Sequence, residues 1–174
     1  MFTFKSEGTV ARGVRHKAPW RLMLVGAFVA CAFGGFKIGI AWATSGSGVT
    51  TTIISGPVAL GEIAVKSDSD FNRVKIKTEG LSDVYVVYNL IVPGGHTGWH
   101  SHPGPSIISV KSGTATEYHA DDPLTPIVHV AGTCFVDDGE GAHIIVNQGT
   151  TDLELVAFQI LPMGAPRRID EPAP

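Results

Sequence analysis

The residues best suited to chemistry in this 174-residue chain are three histidines, His100, His102 and His143. In a strand, residues two apart point to the same side with Cα atoms roughly 6–7 Å apart, so His100 and His102 can turn both imidazoles toward one ion. A third ring can come from a strand adjacent in space, and His143 opens the apolar run His143-Ile-Ile-Val. The plainer alternative for a His-x-His pair is two rings hydrogen-bonded in a core or exposed at its edge. Trp99 and Ser101 would face the other way and read as structural.

Such positioning needs strands, and the sequence supplies them. Short β-rich runs recur from Val58 to Leu161, among them Val84 to Val92, Ser106 to Val110, Cys134 to Val136 and Leu153 to Leu161. Turn residues separate them at Pro93-Gly94-Gly95, Ser112-Gly113, Asp122-Pro123, Asp138-Gly139 and Gln148-Gly149. No stretch after Thr51 keeps a helical period, so the chain reads as an all-β sandwich or barrel. In the last run Leu153, Leu155, Ala157, Gln159 and Leu161 share one face. If that face lines the interior, Gln159 is a polar pocket group; otherwise it is a glutamine bonded to neighbouring backbone.

The segment from Gly94 to Gly113 resembles the first sequence motif of the cupin superfamily, with Gly94, five residues, His100, one residue, His102, three residues, Ser106, six residues and Gly113. Gly132, His143 and Asn147 resemble the second motif, although Asp138 and Glu140 stand where that family has Pro and Gly. The resemblance covers residues 58–161. It implies a double-stranded β-helix, a jelly-roll-like barrel in which His100, His102 and His143 point inward as metal ligands.

Ser106 occupies the place of the family's usual glutamate ligand. A serine is shorter and stays protonated, so a coordination position should be left open. Three neutral imidazoles also leave the ion's double charge uncompensated, which favours a bound hydroxide or an anionic, chelating substrate. Cysteine dioxygenases and some diketone-cleaving dioxygenases among cupins use three histidines without the glutamate. Iron(II) is the favoured cofactor, and zinc, manganese, nickel and copper are also compatible. Glu117 and Glu140 are the carboxylates read as able to replace the missing ligand, while Asp137 and Asp138 read as a solvated acidic turn. Ser106, Gln159 and His96 are pocket candidates, His96 from a Gly-rich loop near the mouth. His119 and His129 fall outside both motifs and read as edge or surface groups.

Charge divides the chain. Residues 1–43 carry six basic residues and one acid, net +5, and the remainder seven basic residues against fifteen acids, net −8. Scattered Lys and Arg on so acidic a domain exclude nucleic acid as a partner. From Leu22 to Phe36 every residue is apolar or Gly, and Ala41-Trp42-Ala43 follows. This is the pattern of a signal peptide cleaved after Ala43, or of an uncleaved anchor. Either one places the rest outside the cytoplasm, periplasmic or extracellular, with the membrane met only through this segment.

Residues 44–57 read as a flexible linker, 58–161 as the barrel and 162–174 as a Pro-rich tail without chemistry. Cys31 and Cys134 lie in different segments, so the barrel holds no internal disulfide. Three functions compete: a mononuclear metal-dependent oxidoreductase of dioxygenase type acting on a small molecule, a non-catalytic small-molecule-binding barrel, and a structural barrel that self-associates as a homodimer.

Overall fold

Alternation along the last long strand separates inside from outside. Leu153, Leu155, Ala157, Gln159 and Leu161 are all buried, while Glu154, Val156 and Ile160 between them are half-buried and Phe158 is exposed. A computed structural model describes residues 43–70 and 72–174. Apart from Ala43, the segment read as signal or anchor lies outside the described residues. Among the described residues there is no helix, and so none long and apolar enough to cross a membrane.

Among the described residues twelve strands run in chain order: β1 (Ser47–Leu60), β2 (Ala64–Asp68), β3 (Arg73–Lys77), β4 (Ser82–His96), β5 (His100–Ser101) and β6 (Ser106–Ser112). There follow β7 (Thr114–His119), β8 (Asp122–Val130), β9 (Cys134–Asp137), β10 (His143–Val146), β11 (Leu153–Pro162) and β12 (Ile169–Asp170). All pairings are antiparallel. One layer has the order β1-β4-β11-β6-β9, and the other β12-β5-β10-β7-β8. The end of β4 crosses between layers, where His96 pairs with Val146.

The product is a nearly closed all-β barrel of the double-stranded β-helix type, with β2 and β3 forming a separate exposed hairpin. Its core is made by Val87, Ile91, Val110, Leu153, Leu155 and Leu161 with Tyr85, Ile108, Ile145 and two alanines. Burial of each large apolar side chain contributes about 1.5–3 kcal/mol.

Two expectations are corrected here. The stretch 44–57, read as a flexible linker from its Ser and Gly content, mostly belongs to β1, which pairs with β4 from Ser47 opposite His96 to Leu60 opposite Ser82. Backbone ladder bonds hold it in place of buried side chains, and the β-branched run Thr50-Thr-Thr-Ile-Ile suits an extended edge strand. The tail, read as a Pro-rich stretch apart from the barrel 58–161, is also anchored to it. Ile169 and Asp170 pair with Ser101 and His100, the Glu171 N–H donates to the Trp99 carbonyl at 2.9 Å, and Ser101 Oγ donates to Glu171 Oε1 at 2.8 Å.

Candidate metal centre

Register builds the site from two facing rows. In one layer His143 lies directly opposite His100 on β5 and opposite His119 on β7. In the other, Gln159 lies opposite Tyr85 and Ser106, and Ser106 opposite Asp137. Directly opposed residues share a sheet face, and Tyr85, Gln159, Ser106 and Asp137 are all buried. His102, just beyond β5, sits between the rows. Ring centroids are 4.4 Å apart for His100 and His143, 4.9 Å for His100 and His102, and 5.8 Å for His102 and His143.

Each ring is held through Nδ1. His100 Nδ1–H donates to the Gly98 carbonyl at 2.9 Å and His102 Nδ1–H to the Arg167 carbonyl at 2.7 Å. A carbonyl can only accept, so both rings carry their proton on Nδ1. His143 Nδ1 is flanked by Glu117 Oε1 at 3.6 Å and Asp137 Oδ1 at 3.7 Å, and two acceptors favour the same tautomer. The Nε2 atoms of His100 and His102 are therefore bare lone pairs, and that of His143 is bare when its proton sits on Nδ1. Those of His143 and His100 face each other at 3.2 Å, and one nitrogen from each of the three rings falls in a group spanning no more than 4.8 Å. Converging lone pairs on rings oriented through their second nitrogen fit a divalent cation.

The turn carrying this geometry depends on Gly98. Its φ of +72° lies in the left-handed region, and a Cβ there would sit 2.3 Å from the Thr44 carbonyl oxygen. Glycine thus lets the chain double back so that its own carbonyl meets His100.

Burial controls the charge of the rings. It pushes the His100 pKa down to about 2, helped by the nearby His143 and Arg168. His102 is also lowered, chiefly by burial, as is His143, against the opposing pull of Asp137 and Glu117.

Linkage fixes the sign of a pH effect. Below pH 6.5 the unfolded chain takes up protons that the folded imidazoles refuse, so folding stability falls as pH falls. For His100 alone this amounts to about 2 kcal/mol between pH 6.5 and 5, at about 1.4 kcal/mol per unit, and His102 and His143 act in the same direction. Urea unfolding of chelator-treated protein should show a lower midpoint at pH 5 than at pH 7. A midpoint unchanged across that interval would show that the rings are not buried as neutral groups.

A cavity of about 240 Å³ opens beside the three rings and is also lined by Ser106, Gln159, Arg167 and Arg168. Gln159 donates to Ser106 Oγ at 3.0 Å and accepts from Arg167 Nη1 at 3.4 Å. Burial, and then Arg168, lowers the Arg167 pKa. Arg168 pairs with Asp170, whereas Arg167 has no carboxylate partner among the described residues.

Several expectations are revised by these positions. His96 does not line the cavity; its Nδ1 accepts the Gly98 N–H at 3.1 Å, bracing the turn. Glu140 is exposed. Asp137 is not a solvated turn residue but 6% exposed, and its Oδ2 is buried without a hydrogen-bond partner among the described residues. Glu117 is buried and accepts from His129 Nε2 at 2.9 Å, and His129 stacks on Phe135. It supports the His143 ring and does not reach the Nε2 group. The arginines come from the tail, to which no chemistry was assigned.

No protein-family model matches the chain. No curated protein matches it in sequence. Solved structures resemble the barrel. One is a conserved protein with a double-stranded β-helix domain from Klebsiella pneumoniae, at TM-score 0.44 and 23% identity, covering 51% of this chain and 76% of that one. Another is a cupin domain from Bordetella pertussis, at TM-score 0.40 and 21% identity, covering 57% and 93%. A third is oxalate oxidase in complex with the substrate analogue glycolate, at TM-score 0.44 and 24% identity, covering 50% of this chain and 45% of that one. The first is described as a double-stranded β-helix protein and the second as a cupin domain, and each resembles part of this barrel.

Proposed function

We propose that the barrel holds one divalent metal ion on His100, His102 and His143 and admits a small carboxylate-bearing molecule beside it, as a mononuclear oxidoreductase of dioxygenase type. The observation that carries this is the meeting of three imidazole rings at a cavity that is also lined by Arg167, which has no carboxylate partner among the described residues.

Iron(II), the favoured ion, would supply Lewis acidity and electrons for dioxygen. The chain's own groups do the rest. The three rings offer neutral donors, two with tautomers fixed by the Gly98 and Arg167 carbonyls and the third, His143, flanked on Nδ1 by carboxylates. Arg167 gives an incoming carboxylate a planar pair of donors, steadied by Gln159. Apolar Ile108, Ile145 and Leu155 line the cavity too and limit water around the bound molecule.

A non-catalytic binding barrel is favoured by one observation. Asp170 is the only carboxylate lining the cavity among the described residues, and it is engaged by Arg168, which leaves no free general base.

The test is titration of the full chain with iron(II), followed by a panel of small mono- and dicarboxylates with oxygen uptake recorded. Arg167→Met keeps the backbone carbonyl that holds His102, so its metal content should match wild type while carboxylate affinity drops about 10- to 100-fold, the loss of a charge-assisted contact. Oxygen uptake supports the enzyme, and binding without uptake supports the second reading. Equal carboxylate affinity in both proteins would remove Arg167 from the site.

A further inference from the structure

We propose that Asp137 Oδ2 is a fourth protein donor to the same ion, supplying from β9 the carboxylate that position 106 lacks. The inference rests on the metal reading above and concerns a residue whose Asp-Asp-Gly context looks like a solvated turn.

Register places it. Gln159, Ser106 and Asp137 stand side by side on β11, β6 and β9. Ser106 is short, and its hydroxyl accepts from Gln159 at 3.0 Å. One strand further along the row is a carboxylate whose side chain is 4% exposed.

Its two oxygens have different environments. Oδ1 accepts the Gly139 N–H at 2.9 Å and lies 3.7 Å from His143 Nδ1. Oδ2 is buried with no hydrogen-bond partner among the described residues, and it lies 3.8 Å from Nε2 of His102, the nitrogen that the Arg167 carbonyl leaves bare.

The distance separates two interpretations. At 3.8 Å the contact is too long for an N–H···O hydrogen bond. Two donors each about 2.1 Å from one ion are at most about 4.2 Å apart, so the same separation suits a pair sharing a cation. An ion there would satisfy an oxygen that is otherwise costly to bury. It would also receive one negative charge, leaving a net +1 that still attracts an anion beside Arg167.

Glu117 does not compete for this role, since its oxygens face His129 and the Nδ1 side of His143. It is a positioning residue.

Cobalt(II) titration of the full-length protein, followed by absorption spectroscopy, tests the proposal. Wild type should take up one equivalent. Asp137→Asn should weaken binding at least about a hundredfold, beyond the 10- to 100-fold typical of an orienting group, and change the d–d spectrum as a donor is lost. Asp137→Cys should create a sulfur-to-cobalt charge-transfer band that Glu117→Cys does not. If wild type binds cobalt and the Asp137→Cys protein shows no such band, with Asp137→Asn spectrally unchanged, the fourth donor is refuted and the three-histidine site stands. If wild type takes up no cobalt, the metal reading falls and this one with it. Should the variants not fold, wild type labelled with 13C-aspartate gives the answer by infrared difference. A carboxylate band that shifts on metal addition supports ligation, and an unmoved band overturns it.

Discussion

Replacing His143 with alanine should abolish stoichiometric metal in the purified protein. His143 is 2% exposed and contacts both halves of the site: its Nε2 meets that of His100 at 3.2 Å, and its Nδ1 faces Glu117 and Asp137. Removing an orienting group costs metal affinity about 10- to 100-fold, and removing a donor should cost more. The substitution also leaves two buried carboxylates without the imidazole between them, so the metal-free protein should lose roughly 1–3 kcal/mol of stability. Elemental analysis beside urea unfolding separates the two effects. A folded variant that keeps one equivalent of metal would end the three-histidine assignment.

Ending the chain after Gly164 should cost metal affinity about 10- to 100-fold while leaving the barrel folded. His102 depends on the Arg167 carbonyl for its tautomer, and β5, paired with β10 on one side, has β12 as its partner on the other. No core residue lies beyond Leu161, so the hydrophobic interior stays intact. The truncated protein should keep its far-ultraviolet circular dichroism, bind the ion more weakly and lose the carboxylate response of Arg167. Undiminished metal affinity would show that the tail is dispensable for His102.

Local spacing made part of this legible. His-x-His places two rings on one side of a strand, and the alternation from Leu153 to Leu161 reports a buried face that includes Gln159. What depends on pairing between distant strands was hidden. Asp137 could have been inferred from alternation, since Cys134 and Val136 point outward and Phe135 and Asp137 inward. The Asp-Asp-Gly sequence outweighed it as a turn signal, and only the register with Ser106 reveals its neighbours. β1 and the tail were misread for one reason. Both are fastened mainly by backbone hydrogen bonds, which leave little trace in side-chain hydrophobicity. Arg167 meets His102 through its carbonyl, which has no signature in residue type.

With the proposed ion bound, the bond from His102 to the Arg167 carbonyl would make capture of the ion and closure of the last residues mutually dependent. Whatever free energy the docked tail adds to ion binding, the ion returns to the tail, because the coupling is reciprocal. Trypsin should therefore cut after Arg168 faster in the metal-free protein than in the loaded one, so that cleavage of the docked segment gauges occupancy.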